Sequence, residues 1–384
     1  MKIGIIDADL LGNTRHRFPN LACMKLSAWH WLQGDDVTLM LNWDTSLYDK
    51  VYISKVFVKT RIPGEPDNQC DKTEANVIDW YAHNEYLQDP KITYGGTGFF
   101  YDKAPPLDPA IEHIMPDYHL YDDWVYGQIA AGKKRSQFAY YLDYSIGYLT
   151  RGCFRGCEFC VNRNCKHSLP SSAVMEFFDE HRKYLCFLDD NFLACPQWRE
   201  LIATVQRIGK PFEFKQGLDE RLLTDEKCSM MATWRYKGEM LFAFDNIDDA
   251  PLIERNMALW RSHSNRLTKF YCFCGYDRQG NYDAHFWRQD ILDLFQRFRI
   301  LSKYHCLPYV MRHENHKNSP YRGMYVTLAR WANQPAFFKK KTFREFCEIT
   351  AKQGATSALQ YLAEFEKACS PEELQQTIDA HFGW

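Results

Sequence analysis

The chain has 384 residues, 46% of them hydrophobic, a length that fits two domains of ordinary size plus an extension, each domain able to bury its own core. A net charge of −2 and a sequence pI near 6.7 provide no global basic field to draw the protein onto nucleic acid or anionic lipid, which argues against a dedicated nucleic-acid binder and leaves a local nucleotide patch open. No apolar run approaches the ~18 residues of a membrane span, and the opening MKIGIIDADLLG brings two acids within nine residues with no apolar stretch after them, so neither export nor membrane insertion is expected and a cytoplasmic location is.

Fourteen cysteines in such a chain are not expected to form a disulfide framework, because a reducing compartment keeps thiols free. Most sit singly in apolar stretches, such as Cys186 in YLCFL and Cys272 and Cys274 in FYCFCGY, and read as buried, inert thiols. The group from Cys153 to Cys165 does not fit that reading.

In chain order, KIGIID (Lys2 to Asp7) has the length of a strand. Asn20 to Gln33 places apolar residues near helical spacing, and Gly34 stops it. VTLMLN (Val37 to Asn42), KVYISKVF (Lys50 to Phe57) and KITYGG (Lys91 to Gly96) read as three further strands. This β-α-β rhythm predicts an α/β fold with a doubly wound parallel sheet over 1–135. The polar, Gly- and Lys-containing stretch 122–140 reads as a linker.

A second βα series follows over 140–315. Its expected strands are Tyr144 to Thr150, Tyr184 to Asp189, Pro211 to Lys215, Glu239 to Phe244, Lys269 to Gly275 and Leu307 to Met311. Ser171 or Ser172 can cap the first intervening helix, Pro196 suits the first turn of the second, and Thr224 opens the third. The fourth starts near Asp248 and the fifth spans Ala284 to Arg299. Six βα units in roughly 170 residues suggest a partial barrel, since eight units usually take ~250. Residues 316–384 read as a helical extension, with Lys339 to Lys341 as a solvated helix start. No internal repeat or low-complexity segment interrupts the chain.

The chemistry concentrates in RGCFRGCEFCVNRNC, residues 151 to 165, where Cys153, Cys157 and Cys160 make C-x3-C-x2-C. Three closely spaced thiols on one loop can converge on a single metal centre, and thiolates are the usual ligands of iron–sulfur clusters. The loop follows an expected strand directly, at the carboxyl end where active sites of βα barrels lie. Gly152 and Gly156 let backbone wrap the metal. Three cysteines leave one iron of a [4Fe–4S] cluster open to a small molecule. Zinc, with Cys165 or His167 as a fourth ligand, is the competing reading. It lacks the second C-x2-C knuckle of structural zinc sites, and Cys165 reads as a bystander.

The segment resembles the signature of the radical S-adenosylmethionine (SAM) superfamily, with Phe159 in the aromatic place before the third cysteine. The resemblance implies a partial (β/α)6 radical SAM barrel, a [4Fe–4S] cluster on Cys153, Cys157 and Cys160, and SAM chelated at the open iron. It further implies reductive cleavage of SAM to methionine and a 5′-deoxyadenosyl radical that attacks a substrate. The superfamily does not name that substrate, which is a small molecule, a nucleotide or a peptide; an electron donor such as flavodoxin or ferredoxin is implied. By place in the barrel, Asp189, Asp190 and Asn191 stand where the family's Gly-Gly-Glu segment holds the methionine amino group, a departure in sequence. Glu213, Lys215, Gln216 and Arg221 are candidates for the SAM ribose and carboxylate, Arg221 foremost because a guanidinium matches a carboxylate bidentately. Gly275 is a candidate for backbone approach to the adenine. Asp245 and Asn246, and Arg312, His313 and His316, stand at strand ends as candidate substrate contacts.

The resemblance extends to members with an N-terminal cobalamin-binding domain of flavodoxin-like fold. Asp7, Asp9 and Gly12 keep the frame of the D-x-H-x-x-G fingerprint, with Asp9 where the histidine would ligate cobalt; Ser54, Gly95 and Gly96 follow in order. Two outcomes stay open: cobalamin held without a protein axial ligand, favouring methyl transfer, or a cofactor-free domain, favouring hydrogen abstraction with rearrangement, oxidation or coupling. His16 and His30 are not evident substitutes. The competing function is a non-catalytic metal-binding module, zinc or iron–sulfur, that recognises nucleic acid through exposed aromatics.

Overall fold

The computed structural model describes residues 1–13, 15–65, 72–354 and 356–384. Strands β1 (Lys2–Asp7), β2 (Asp36–Leu39), β3 (Lys50–Ser54) and β4 (Ile92–Gly95) form one parallel sheet in the order β2-β1-β3-β4. Ile3 pairs with Val37 on one side of β1 and with Lys50 on the other. The chain therefore leaves β1 in both directions, and the carboxyl ends of β1 and β3 flank the switch point of the sheet. Ile3, Ile5, Ile6, Val51 and Ile53 are all buried, as expected of parallel strands covered on both faces. The connecting helices are α1 (Ala8–Gly12), α2 (Leu21–Leu32), α3 (Val77–Ala82), α4 (Thr97–Phe100) and α5 (Pro109–Glu112). Asn20 caps α2, its side chain accepting from the Cys23 N–H at 3.3 Å.

The stretch 122–140 is not a linker. It forms α6 (Asp122–Ala130), a 3-10 turn and the start of α7 (Ala139–Leu142). Tyr121, Val125, Phe138 and Tyr141 bury together with Leu10, Leu21 and Met24. A few apolar residues at helical spacing dock this segment, and the polar majority that suggested a linker is its outer face.

β5 (Tyr144–Gly147) is buried throughout. Beyond it, β6 (Thr150–Arg151) and β7 (Leu169–Pro170) pair antiparallel and close the base of the cysteine loop 152–168. The loop thus returns to its own strand, and little chain remains before β8 (Tyr184–Phe187), which pairs parallel with β5. The helix expected after Ser171 or Ser172 is accordingly only a 3-10 turn, Val174–Glu176. α8 (Trp198–Ile208) and β9 (Phe212–Phe214) follow.

Tertiary contacts divide the chain into two units, one of residues 1–190 with 195–212, the other of 191–194 with 213–384. In the second, α9 (Asp225–Thr233) is capped by Thr224, whose hydroxyl accepts from the Lys227 N–H at 3.3 Å. β10 (Met240–Ala243), β11 (Thr268–Cys274) and β12 (Cys306–Arg312) form a parallel sheet in that order. They alternate with α10 (Ala250–His263) and α11 (Ala284–Lys303). The remaining helices are α12 (Arg322–Ala332), α13 (Pro335–Phe338), α14 (Phe343–Lys352), α15 (Ser357–Glu366) and α16 (Pro371–Gln376). They bring Trp331, Phe338 and Phe343 against Phe295 and Phe298 of α11. Lys339 to Lys341 occupy the turn between α13 and α14. The fold is α/β with parallel sheets, and no described helix is long and apolar enough to cross a membrane.

Asp7 ends β1 almost wholly buried, accepting from the Tyr121 hydroxyl at 2.8 Å and the Leu10 N–H at 3.2 Å. Burial pushes its carboxyl up to about 7. An unfolded chain ionises this group near pH 4 while the folded chain keeps it neutral, so its contribution to stability is complete below about pH 4 and is lost as pH rises through about 7. Asp7→Asn, a neutral isostere, should match wild type near pH 4 and exceed it at pH 8 by up to a few kcal/mol, read from urea midpoints at the two pH values.

Candidate metal centre

The cysteine loop is a series of tight turns. The Cys160 N–H donates to the Cys157 carbonyl at 2.9 Å, Arg163 to Cys160 at 3.1 Å, and Cys165 to Asn162 at 3.0 Å. The Asn162 N–H also points at the Cys160 sulfur, 3.4 Å away. Cys153, Cys157 and Cys160 are each part-exposed. Burial pushes the Cys160 thiol up to about 11, the Asn162 N–H opposes that, and Cys157 and Cys153 lie close enough to add to the rise.

Two consecutive carboxylates after β8 hold this loop. Asp189 is fully buried and accepts from the Leu149 N–H at 3.1 Å, the Thr150 N–H at 2.8 Å and the Thr150 hydroxyl at 2.7 Å. Burial nonetheless pushes its carboxyl up to about 7. Asp190 accepts from the Gly152 N–H at 2.8 Å and the Asn162 side-chain amide at 2.7 Å. It thereby ties the entrance of the loop to its far side. Both residues were expected at SAM from sequence; their recorded partners are the strand end and loop that carry the cysteines.

Among the described residues, no three His, Cys, Asp or Glu side chains stand together in a geometry ready to hold a metal ion. The donor chemistry still fits an iron–sulfur cluster: three thiols on one loop, with an N–H aimed at one sulfur. Ligand convergence and metal binding are commonly one event at such sites. Cys165 and His167 lie on the return limb of the loop, lining with His113, Arg151 and Lys166 a cavity of about 570 Å³.

The other residues expected at SAM belong to the second unit. The Asn191 amide donates to Asp219 at 3.1 Å. Glu213 lies in β9, the Lys215 carbonyl accepts from the Tyr271 hydroxyl at 3.3 Å, and Gln216 is exposed. Arg221 is already matched by carboxylates, with Nε 2.8 Å from Asp219, Nη1 3.3 Å from Asp249 and Glu220 at 3.9 Å. Gly275 is left-handed at φ +79° and donates to Asp290 at 2.8 Å; a Cβ there would lie 3.2 Å from the His316 Cβ. Sequence reasoning passed over Glu220, which is fully buried. Its carboxyl is pushed well above the usual range by burial and by Asp219. The polarity of DER gave no sign of that burial.

At the switch point of the first sheet the cobalamin-like fingerprint is taken up by the protein. Asp9 accepts from the Val56 N–H at 2.7 Å, from the Phe57 N–H at 3.4 Å and from the Thr60 hydroxyl. Ser54 accepts from the Asn20 amide at 2.9 Å. A Cβ on Gly12 would meet the Thr60 methyl at 2.8 Å. Gly96 sits at φ +103°, where a Cβ would stand 2.3 Å from the Lys55 carbonyl oxygen, whereas Gly95 borders open space. Close approach of β3 therefore accounts for Gly96. With no imidazole at position 9 and the Asp9 carboxylate committed to the loop after β3, these residues offer no lower axial ligand to a cobalamin. His16 faces the Tyr141 hydroxyl at 3.2 Å, and His30 packs between Asp35 and Tyr52.

No protein-family model and no curated protein matches the chain, so the residues themselves carry any assignment.

Gly152 and Gly156 are both left-handed, at φ +92° and +61°. A Cβ on Gly152 would stand 2.4 Å from the His167 carbonyl oxygen, whereas on Gly156 the nearest atom is 3.6 Å away. Gly156→Ala should cost about 1–2 kcal/mol for its backbone alone, and Gly152→Ala distinctly more, in urea unfolding of the metal-free protein.

Proposed function

We propose that this chain is a radical SAM enzyme whose [4Fe–4S] cluster is held by Cys153, Cys157 and Cys160. The C-x3-C-x2-C loop carries the reading, because it leaves the end of a buried parallel strand and is fastened by carboxylates from the neighbouring strand. The parallel strands β5 and β8 and the sheet β10-β11-β12, with their intervening helices, are components that a partial (β/α)6 barrel uses. When bound, the cluster and SAM supply reductive carbon–sulfur cleavage, giving methionine and a 5′-deoxyadenosyl radical.

The chain's own residues orient that chemistry. Cys153, Cys157 and Cys160 would supply three thiolates to the cluster and leave one iron for SAM. Asp189 and Asp190 hold the loop on its strand, and the Asn162 N–H donates to the Cys160 sulfur. In the second unit, Asn191, Glu213, Lys215, Gln216, Arg221 and Gly275 remain the candidates for SAM. The N-terminal residues offer no lower axial ligand, which leaves two reactions: methyl transfer on a cobalamin held without one, or, in a cofactor-free domain, hydrogen abstraction with rearrangement, oxidation or coupling. A flavodoxin or ferredoxin would deliver the electron.

Anaerobic reconstitution followed by dithionite reduction should give a [4Fe–4S]⁺ EPR signal that changes when SAM is added. Cys153→Ala, Cys157→Ala and Cys160→Ala should each abolish the signal and SAM cleavage, whereas Cys165→Ala should retain both. Stoichiometric zinc without sulfide, or a cluster indifferent to saturating SAM, would overturn the assignment in favour of a metal-binding module.

A further inference from the structure

The cysteine loop is gripped from a second side, by residues that follow β4 and that the proposed reaction does not use. The Gly96 and Gly98 backbones lie against Lys55, whose carbonyl accepts from the Gly98 N–H at 2.9 Å. This seats the short helix α4 on the end of β3. The Lys55 ammonium lies inside, 4.1 Å from the ring centroid of Tyr81 and 4.7 Å from that of Phe99. The chain then turns abruptly at Tyr101, with φ +48° and ψ −114°. A bulky side chain rarely takes that conformation, and such outliers persist where surrounding structure enforces them.

The turn aims two consecutive side chains at the metal loop. The buried Tyr101 hydroxyl donates to the Phe159 carbonyl at 2.7 Å, adjoining Cys160. It lies within electrostatic reach of the Cys160 thiol, and Glu74 reaches it as well. Asp102 accepts from Arg163 Nε at 2.7 Å and from the Asn164 amide at 2.8 Å. The Arg163 guanidinium also stands 5.3 Å from the Tyr101 ring centroid and donates to the Glu158 carbonyl at 3.2 Å. Between these contacts, Val161 packs on the hydrophobic core of the N-terminal sheet. Residues 158 to 164, which surround Cys160, are thus held by the corner that follows β4.

We propose that Tyr101 and Asp102 are positioning residues for the metal loop, and that the corner after β4 serves to place Cys160. The proposal rests on the cluster reading for its consequence and on loop geometry for its existence. An Asp carboxylate with two donors from one turn fixes that turn's orientation, and the charge-assisted bond to Arg163 is the stronger of the two. Cluster potentials respond to hydrogen bonding and exposure around the sulfurs, so a loosened corner changes the cluster as well as the fold.

The test compares wild type with Asp102→Ala, Asp102→Asn, Tyr101→Phe and Arg163→Gln, the last altering an exposed side chain in case the Asp102 variants fail to fold. Hydrogen exchange of residues 152–168 is measured first on metal-free protein, then iron and sulfide per chain, EPR with and without SAM, and midpoint potential after reconstitution. Asp102→Ala and Arg163→Gln should speed exchange across 158–164 at least tenfold and shift the EPR spectrum or potential. Asp102→Asn, which keeps an acceptor, should recover part of both. Wild-type exchange in 158–164 for every folded variant would overturn the clamp whether or not a cluster assembles. Faster exchange with no cluster even in wild type would leave the clamp standing and sink the radical SAM reading instead. Faster exchange with unaltered cluster spectrum and potential would overturn the positioning role.

Discussion

The carboxylates of Asp189 and Asp190 fasten the chain end of one strand to the loop of its neighbour, and the candidate site depends on them. Two adjacent acids just past β8 serve two tasks. Asp189 turns into the interior and takes the Leu149 and Thr150 N–H groups that would otherwise be left unpaired just past β5. Asp190 turns outward and spans the loop from Gly152 to Asn162. Leaving buried N–H groups without an acceptor is costly, which gives a physical reason for a fully buried acid here despite the desolvation that pushes its carboxyl upward.

The N-terminal sheet has the topology of a ligand-binding fold, and the polar side chains at its switch point are hydrogen-bonded within the protein. Asp9 pins the backbone at Val56 and Phe57. Beneath it, Lys72 pairs with Glu65 at 2.6 Å and with the Tyr81 hydroxyl at 2.9 Å, and Tyr81 donates to Glu65 at 2.8 Å. Buried ions are tolerated only when paired and hydrogen-bonded in this way. The network holds the start of the loop between β3 and α3 and, through Lys55, supports the corner that meets the cysteine loop. In this chain the useful surface of the sheet lies beside the crevice, after β4.

In the second unit, buried acids and arginines again balance at strand ends. Arg221 collects Asp219 and Asp249, and Arg297 donates to the carbonyls of Phe244 and Phe273 at 2.9 and 2.8 Å. Burial raises the Asp245 and Asp290 carboxyls, and Arg297 works against both rises. A low-dielectric setting of this kind strengthens every charge interaction within it, a property that a site for an ionic cosubstrate can use.

Hydrophobic runs and turn residues were enough to read strands β1 to β5 and β8 to β12 and helices α2, α9 and α11 from the sequence, because these elements are set by local periodicity and caps. The C-x3-C-x2-C spacing is likewise local, and it alone names the candidate ligands. Other features needed the folded chain. The segment 122–140 reads as a linker until its few apolar residues find Leu10 and Leu21, more than a hundred positions away. The protein partners of Asp189, Asp190, Asp9 and Gly96 come from distant segments, so only the tertiary structure shows them. Tyr101 and Asp102 carry no motif. Their importance arises where β4 delivers them, some sixty residues from the loop they hold, and no local pattern encodes a contact of that separation.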